Sequence, residues 1–235
     1  MRAIRKPLLG ITAAVAVTFA SGFAAGAGTL SYEGPGVWGS PALNANVSYK
    51  LDGATKSHGA GLFRMKDEDG NSLLTWCIDL FNTVKNHWEY TAGKDFVPVP
   101  GQVNTAAVTS NIKKLFTAHY ADALASASNA AAFQLALWEI TVDTQADGSG
   151  LDLTVGRFQK NANGSVYNTA ANFLARVPGA GEAGYGLTFF DSVTDANGRA
   201  SQNLVSATPV PLPAGFLLLA TGMAGLGIMR RRRDA

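Results

Sequence analysis

Alternation of apolar and polar residues dominates the chain from Thr29 to Tyr90. Residues 46–51 and 61–66 both alternate, and an acidic turn at 67–71 separates the second stretch from residues 72–80. A period of two predicts half-buried strands, and the Asp/Gly/Asn-rich turn predicts a hairpin. The same turn offers carboxylates for Ca²⁺, although it lacks the full spacing of an EF-hand loop.

The pattern changes to a helical period after a Val-Pro-Val-Pro-Gly segment at 97–101, which favours an edge strand or a connection. From Thr105 to Ala127, apolar residues recur at helical spacing, which predicts one or two helices. Asn129 is the expected N-cap of a further helix over residues 130–141. That helix is apolar nearly all round, so it is expected to be buried, with Gln134 as the polar residue in its middle.

The last part of the body returns to short elements. A strand is predicted over residues 151–158, and a helix over 165–177 with Ser165 as its cap. Apolar stretches at 187–193 and 200–206 flank an Asp-Ala-Asn-Gly turn and predict a final hairpin. Strands on both sides of a helical insert predict an α+β fold: a mainly antiparallel, sandwich-like β body with a helical subdomain.

The two ends carry apolar runs of another kind. Residues 1–27 combine a basic start, an apolar stretch and a small-residue site, which predicts a signal peptide cleaved before Gly28; an uncleaved signal anchor is the alternative. Residues 212–229 form an uncharged apolar run that ends in four arginines, Arg230, Arg231, Arg232 and Arg233. Such a run predicts a transmembrane helix with its C-terminus in the cytoplasm, with a retained anchor or a buried helix as alternatives.

Between the ends lies a single predicted domain, residues 28–207, whose charge differs from that of the whole chain. The chain has 19 basic and 17 acidic residues and a formal net charge of +2. The signal segment holds three of the basic residues, and the tail holds four arginines and Asp234, which leaves 12 basic and 16 acidic residues, or a net charge of −4. Binding to nucleic acid therefore has no support from composition.

The tail, residues 208–235, resembles the VPLPA-type PEP-CTERM sorting signals. The resemblance rests on a motif, a short apolar helix and an arginine cluster, and the motif residues are Val210, Pro211, Leu212, Pro213 and Ala214. It implies recognition by an exosortase-like membrane protease in a polysaccharide-producing Gram-negative bacterium. The chain would then be exported to the cell envelope, the cell surface or the extracellular space, with only transient anchoring in the inner membrane.

Cys77 and Gln134 form the constellation with the most specific chemistry. A cysteine sulfur held against a glutamine carboxamide can displace ammonia and form an internal thioester, an acyl group reactive toward amines and water. Trp76, Phe133 and Trp138 flank the two residues in sequence and are expected to wall a pocket around them. The alternative is a buried, inert cysteine with a core glutamine bonded to backbone.

At these residues the chain resembles the thioester domains of bacterial surface adhesins. Trp76-Cys77-Ile78 matches an aromatic residue followed by the cysteine, and Gln134-Leu135-Ala136-Leu137-Trp138 matches the Gln-x-Ala-Φ-Trp pattern. The resemblance implies a β-rich body with a helical subdomain and covalent capture of an amine on a partner surface. Phe133 departs from the family, which has a small residue at that position.

Other chemistry has weaker sequence support. Cys77 with His87 and Asp79 would suggest a cysteine hydrolase, but no motif of such a family accompanies them. His58 and His119 are isolated, no nucleotide-binding loop is present, and a zinc site is not expected. A loop with Asp143, Asp147 and Asp152 could gather around Ca²⁺ or be simply solvated.

Three functions follow from these observations. The first is an exported surface protein, not an enzyme and without a cofactor, that captures partner amines through Cys77 and Gln134. The second is a non-covalent structural component of an extracellular polysaccharide or biofilm matrix. The third is an extracellular hydrolase. The expected partners are the membrane before processing, an exosortase-like protease and a surface amine or polysaccharide, and not nucleic acid.

Overall fold

The computed structural model of the chain describes residues 27–98, 104–160 and 163–210. These residues contain nine strands and three α-helices, with a short 3-10 helix at Val177–Gly179 after the third. In chain order the elements are β1 (Ala27–Tyr32), β2 (Asn44–Leu51), β3 (Ala54–Gly61), β4 (Phe63–Lys66), β5 (Ser72–Cys77), β6 (Trp88–Gly93), α1 (Thr105–Ala123), α2 (Ala127–Asp143), β7 (Phe158–Gln159), α3 (Ser165–Arg176), β8 (Tyr185–Ser192) and β9 (Leu204–Pro209).

Six of the strands close into an antiparallel barrel in the order β1, β4, β5, β9, β8, β6. The barrel closes because β1 pairs with β4 at one end and with β6 along the rest of its length. A separate sheet has the order β3, β2, β7. The predicted α+β class and antiparallel pairing are confirmed. The sandwich-like arrangement is wrong, because closure through β1 replaces two open sheets.

The hairpin predicted around the acidic turn is confirmed as β4 and β5. Asp67 closes the turn by accepting hydrogen bonds from the backbone N–H and the side-chain amide of Asn71. The predicted strand over 72–80 is too long, because β5 ends at Cys77. There the chain turns, and the carboxylate of Asp79 accepts the N–H groups of Phe81 and Asn82.

α2 is buried along its length, as predicted from its apolar sequence, and every residue from Ala130 to Val142 is buried. It packs against the helices α1 and α3 and against the strands β2 and β3. The predicted N-cap is wrong. Ser126 caps the helix by accepting a hydrogen bond from the N–H of Asn129, which itself lies in the first turn.

Two predictions in the segment before α3 are also wrong in detail. Most of residues 151–158 form turns, because Asp152 accepts bonds from Thr154 and the backbone φ of Gly156 is positive, so only β7 remains as a strand. Gly164, and not Ser165, is the N-cap of α3. The final hairpin is confirmed as β8 and β9, with Asp195 accepting N–H groups across its turn.

The end segments fall almost entirely outside the described residues. These segments are the predicted signal peptide up to residue 26, the sorting motif from Pro211 onward and the apolar run with its arginines. Val210 is described and is exposed. Among the described residues, no helix is both long enough and apolar enough to cross a membrane.

Candidate functional site: the Cys77–Gln134 pair

Cys77 and Gln134 come together where the end of β5 meets the middle of α2. The backbone N–H of Cys77 donates to Oε1 of Gln134 at 3.1 Å, and Nε2 of Gln134 donates to the backbone oxygen of Cys77 at 2.6 Å. These reciprocal bonds fix both the position and the orientation of the carboxamide. The sequence-predicted pair is therefore in contact, as a free thiol and a carboxamide.

The pair is almost completely shielded from water. Cys77 and Gln134 are each 1 % exposed. The three residues predicted to form a pocket are buried too: the rings of Trp76 and Phe133 are fully buried and lie 4.6 Å apart, and Trp138 is 3 % exposed. Phe133, the departure from the adhesin pattern, is accommodated because it fills the core against Trp76 and Phe116.

The thiol of Cys77 is held in its protonated form. Burial raises the pKa of the thiol to about 12, and the negative charge of Asp79 adds to the shift, while the indole of Trp138 and the backbone of Asp79 oppose it. Sγ donates to the backbone oxygen of Asp79 at 2.9 Å and accepts its N–H at 3.4 Å. At neutral pH the sulfur is thus not a free thiolate, and reaction requires the thiol proton to be removed locally.

Asp79 organises the turn that follows the cysteine. Its fully buried carboxylate accepts bonds from two backbone N–H groups and from Nδ2 of Asn82, the last at 2.7 Å. The sequence presents Asp79 only as an acidic group near Cys77. Its structural role follows from the Asp-x-Phe-Asn spacing, in which a side chain caps the backbone two and three residues ahead.

Trp138, on α2, and Tyr49, on β2, pack against each other. Trp138 follows Gln134 by four residues, so the two side chains share one face of α2. Its indole N–H is buried and has no hydrogen-bond partner, and the indole lowers the pKa of the Cys77 thiol. The ring of Tyr49, from β2, lies 5.4 Å from that of Trp138.

The histidines are placed differently from their sequence interpretation. His58 is not isolated, because its Nδ1 is 3.0 Å from the hydroxyl of Tyr49. His119 lies in the helical layer, stacked 4.2 Å from the ring of Phe173 and bonded to Asp122. His87 is exposed and bonds to Ser31, so the suggested hydrolase pair with the buried Cys77 is wrong.

The acidic loop after α2 uses its carboxylates to hold backbone. Asp143 accepts the N–H groups of Arg157 and Phe158, Asp147 accepts that of Ser149, and Asp152 accepts that of Thr154. Within the described parts of the chain, no group of three or more His, Cys, Asp or Glu residues is placed to hold a metal ion. The Ca²⁺ alternative therefore gains no support from this loop.

Comparisons with known proteins give matches among solved structures alone. No protein-family model matches the chain, and no curated protein does. One similar structure is the pilus-presented adhesin Spy0125 (Cpa), with 17 % identity and a TM-score of 0.42 over 64 % of this chain; the match spans 40 % of the adhesin's length. Another is the N-terminal thioester domain of the fibronectin-binding protein SfbI from Streptococcus pyogenes, with 14 % identity and a TM-score of 0.39 over 71 % of this chain and 95 % of that domain.

Proposed function

We propose that Cys77 and Gln134 form an internal thioester, and that the protein uses it to capture primary amines covalently. The observation that carries the proposal is the pair of reciprocal hydrogen bonds between the carboxamide of Gln134 and the backbone of Cys77. Any hydrogen-bond partner would satisfy a buried glutamine side chain. In this protein both the oxygen and the nitrogen of the Gln134 carboxamide bond to the backbone of Cys77, which is the single cysteine of the sequence.

The bond-forming step balances within the pair. Sγ of Cys77 attacks Cδ of Gln134, the thiol proton passes to Nε2, and ammonia leaves as the carbon–sulfur bond replaces the carbon–nitrogen bond. The N–H of Cys77, already on Oε1, would stabilise the negative charge that develops on that oxygen. Burial does not oppose this product, because a thioester, like the protonated thiol, carries no charge into the core.

Capture of an amine is the reverse of thioester formation, with the nitrogen of the partner amine in place of ammonia. A primary amine attacks the acyl carbon, an amide bond forms, and the sulfur of Cys77 leaves and recovers a proton. The entering nitrogen would occupy the place of Nε2, where the backbone oxygen of Cys77 accepts one of its hydrogens. Because the surroundings of the pair exclude bulk water, hydrolysis of the thioester would be slow compared with attack by an amine that is delivered to it.

The proposed setting is the outside of the cell. The tail from Val210 with its arginine cluster supports sorting by an exosortase-like protease with transient anchoring in the inner membrane, and the body would then act at the surface or in the matrix. An epitope placed after Arg233 tests the sorting. It should be absent from the mature surface protein, and its retention there would contradict processing.

A non-covalent role in a polysaccharide matrix is the second candidate. Two observations fit this role. The pKa of the Cys77 thiol is raised and Sγ donates a hydrogen bond to the backbone oxygen of Asp79, as expected for an inert cysteine in a protein core. In that case Gln134 serves only to join β5 to α2.

Incubation with methylamine separates the two candidates. The covalent proposal predicts a methylamide at Gln134, located by fragmentation of the peptide that contains it, and no adduct in Cys77→Ala. If the wild-type protein acquires no methylamide, or if Cys77→Ala acquires it equally, the covalent function is wrong and the matrix role remains.

A further inference from the structure

A cavity of about 360 Å³ lies between the β2–β3 hairpin and loops that join the strands of the barrel. Its size falls within the range of small-molecule sites, which combine apolar rings with a few polar groups. The hairpin contributes Lys56 and His58 to its lining, and the loop after β5 contributes Phe81 and Asn82. The two residues of the proposed thioester do not line this cavity, so its ligand is a separate question.

Aromatic side chains form the apolar part of the cavity. Tyr49 and Trp138 are each 3 % exposed, and their rings lie 5.4 Å apart. Trp38 is half-buried, and its ring lies 5.0 Å from that of Phe63. A Cβ at Gly59 would come within 2.5 Å of the indole of Trp38, so the indole has this place because residue 59 is a glycine. A well-packed indole that is still partly exposed therefore borders the cavity.

The polar part of the cavity is held in place by the fully buried carboxylate of Asp79. That carboxylate accepts the backbone N–H groups of Phe81 and Asn82 and, at 2.7 Å, a side-chain N–H of Asn82. These bonds fix the loop after β5 and with it the amide of Asn82. Gln202 adds a second half-buried amide to the lining, and Thr83 adds an exposed hydroxyl. Because amides and hydroxyls both donate and accept hydrogen bonds, they complement a ligand that carries hydroxyl groups.

The charged part of the cavity is basic. Among the described residues that line it, Lys56 and His58 are basic and none is acidic. Lys56 forms no ion pair with any described residue, and Asp52, the acidic residue nearest to it in sequence, is bonded to Arg157. His58 bonds through Nδ1 to the hydroxyl of Tyr49 at 3.0 Å, which leaves Nε2 for a ligand. This lining favours an anionic group even though the body as a whole is acidic.

We propose that this cavity binds a hexuronate, a six-carbon sugar ring that carries a carboxylate. The apolar face of the ring packs on the indole of Trp38, and its hydroxyl groups bond to the amides of Asn82 and Gln202. Its carboxylate accepts charge-assisted hydrogen bonds from Lys56 and His58. A neutral sugar lacks the group that the basic side chains recognise, and an apolar acid lacks the hydroxyl groups that the amides recognise. The site goes beyond the proposed amine capture, because it needs neither the thiol nor the thioester.

Titration of the full chain with small sugar acids tests the proposal. The probes are the methyl glycosides of glucuronate, galacturonate and mannuronate, each compared with the neutral hexoside that has a hydroxymethyl group in place of the carboxylate. Tryptophan fluorescence reports binding, because Trp38 and Trp138 both line the cavity. We expect at least one hexuronide to bind at least ~10-fold more tightly than its neutral counterpart, as expected for a hydrogen bond to a charged group. If no hexuronide binds more tightly than its neutral counterpart, the proposal is wrong.

A lysine substitution tests recognition of the carboxylate. Lys56→Met removes the charge and keeps the apolar stem, so it should weaken binding of the hexuronide at least ~10-fold and leave binding of the neutral hexoside unchanged. The matched control is Lys50→Met, an exposed lysine of the neighbouring strand β2 that does not line the cavity, and it should bind the hexuronide as wild type does. Wild-type affinity of Lys56→Met for the hexuronide would contradict the assigned contact.

A tryptophan substitution tests the contact with the sugar ring. Trp38→Leu should weaken binding of the hexuronide at least ~5-fold, because an aliphatic side chain does not replace the flat face of the indole. The control is Trp88→Leu, at a half-buried position of β6 that does not line the cavity. For these variants binding is followed by equilibrium dialysis, since both lose a fluorophore, and circular dichroism checks that they fold. Equal affinities of the two variants would refute the placement of the sugar on Trp38.

Cys77→Ala separates this site from the proposed thioester. The variant should bind the hexuronide with wild-type affinity and acquire no methylamide. Loss of hexuronide binding by a folded Cys77→Ala would contradict a site that is independent of the thiol. A wild-type protein that binds the hexuronide but acquires no methylamide would overturn the thioester alone, and one that acquires the methylamide but binds no hexuronide would overturn the sugar site alone.

Discussion

Glu139 places a carboxyl group in the core one residue after Trp138. The side chain is fully buried, its Oε1 accepts the N–H of Asp152 at 2.9 Å, and its Oε2 has no hydrogen-bond partner. Burial raises the pKa of Glu139 from 4.5 to about 9, with the charges of Asp143 and Asp152 adding to the shift. Glu139 is therefore protonated in the folded protein at pH 7 and ionised in the unfolded chain.

The effect of this shift on stability has a definite sign. Between pH 4.5 and pH 9 the folded state binds more protons at this site than the unfolded state does, so the free energy of unfolding falls as the pH rises. The slope for one group is about 1.4 kcal/mol per pH unit. The contribution of Glu139 to the free energy of unfolding is therefore greatest below pH 4.5 and is about 3 kcal/mol smaller at pH 7.

Glu139→Gln removes this dependence while keeping the shape of the side chain and an acceptor for Asp152. We expect the variant to match wild type near pH 4 and to exceed its free energy of unfolding by about 3 kcal/mol at pH 7. Urea denaturation across this range measures the difference, with an unchanged m-value as a check on two-state unfolding. Glu89→Gln, at an exposed position of β6, is the control. Parallel stability curves for Glu139→Gln and wild type would refute the reasoning.

Two further substitutions test local features of the fold. Ser126→Ala should lower the free energy of unfolding by about 1 kcal/mol, because it removes the N-cap of α2. The control is Ser128→Ala, at an exposed position of the first turn, which should change the free energy of unfolding little. Equal effects of the two substitutions in denaturant unfolding would contradict the assignment of Ser126 as the N-cap. Gly61→Ala should lower the free energy of unfolding by about 3 kcal/mol or more, because φ of Gly61 is +148° and an added Cβ would collide with the backbone of Leu43. The control is Gly53→Ala, where φ is +79° and an added Cβ meets no other atom, and it should lower the free energy of unfolding by about 1 kcal/mol. Equal losses of stability in the two variants would show that the collision at Gly61 is relieved.

The helical part of the fold and the hairpins are predictable from local sequence. α2 carries an uninterrupted apolar surface, and the β8–β9 turn has Asp and Gly at the positions that its conformation requires. Barrel closure is not predictable in this way, because it depends on β1 pairing with two strands that are distant in sequence. The N-cap error has a different cause: Ser126 and Asn129 are both favoured cap residues, and a helix can begin at either.

The Cys77–Gln134 contact is predictable because each residue lies in a short recognisable pattern. Tyr49 and His58 lie in no such pattern. They line the cavity because the β2–β3 hairpin packs against α2, which places the ring of Tyr49 on Trp138. Alternation on β2 predicts that Tyr49 is buried, but it does not predict which helix covers it.

The intact mass of the purified protein, with its termini established, tests the central claim most directly. The account predicts a wild-type mass lower by one ammonia than that calculated from the sequence, and a Cys77→Ala mass equal to its calculated value. Unfolded wild-type protein from a fresh preparation should then show less than one free thiol per chain. A wild-type mass equal to the calculated value, together with one titratable thiol after unfolding, would contradict the account.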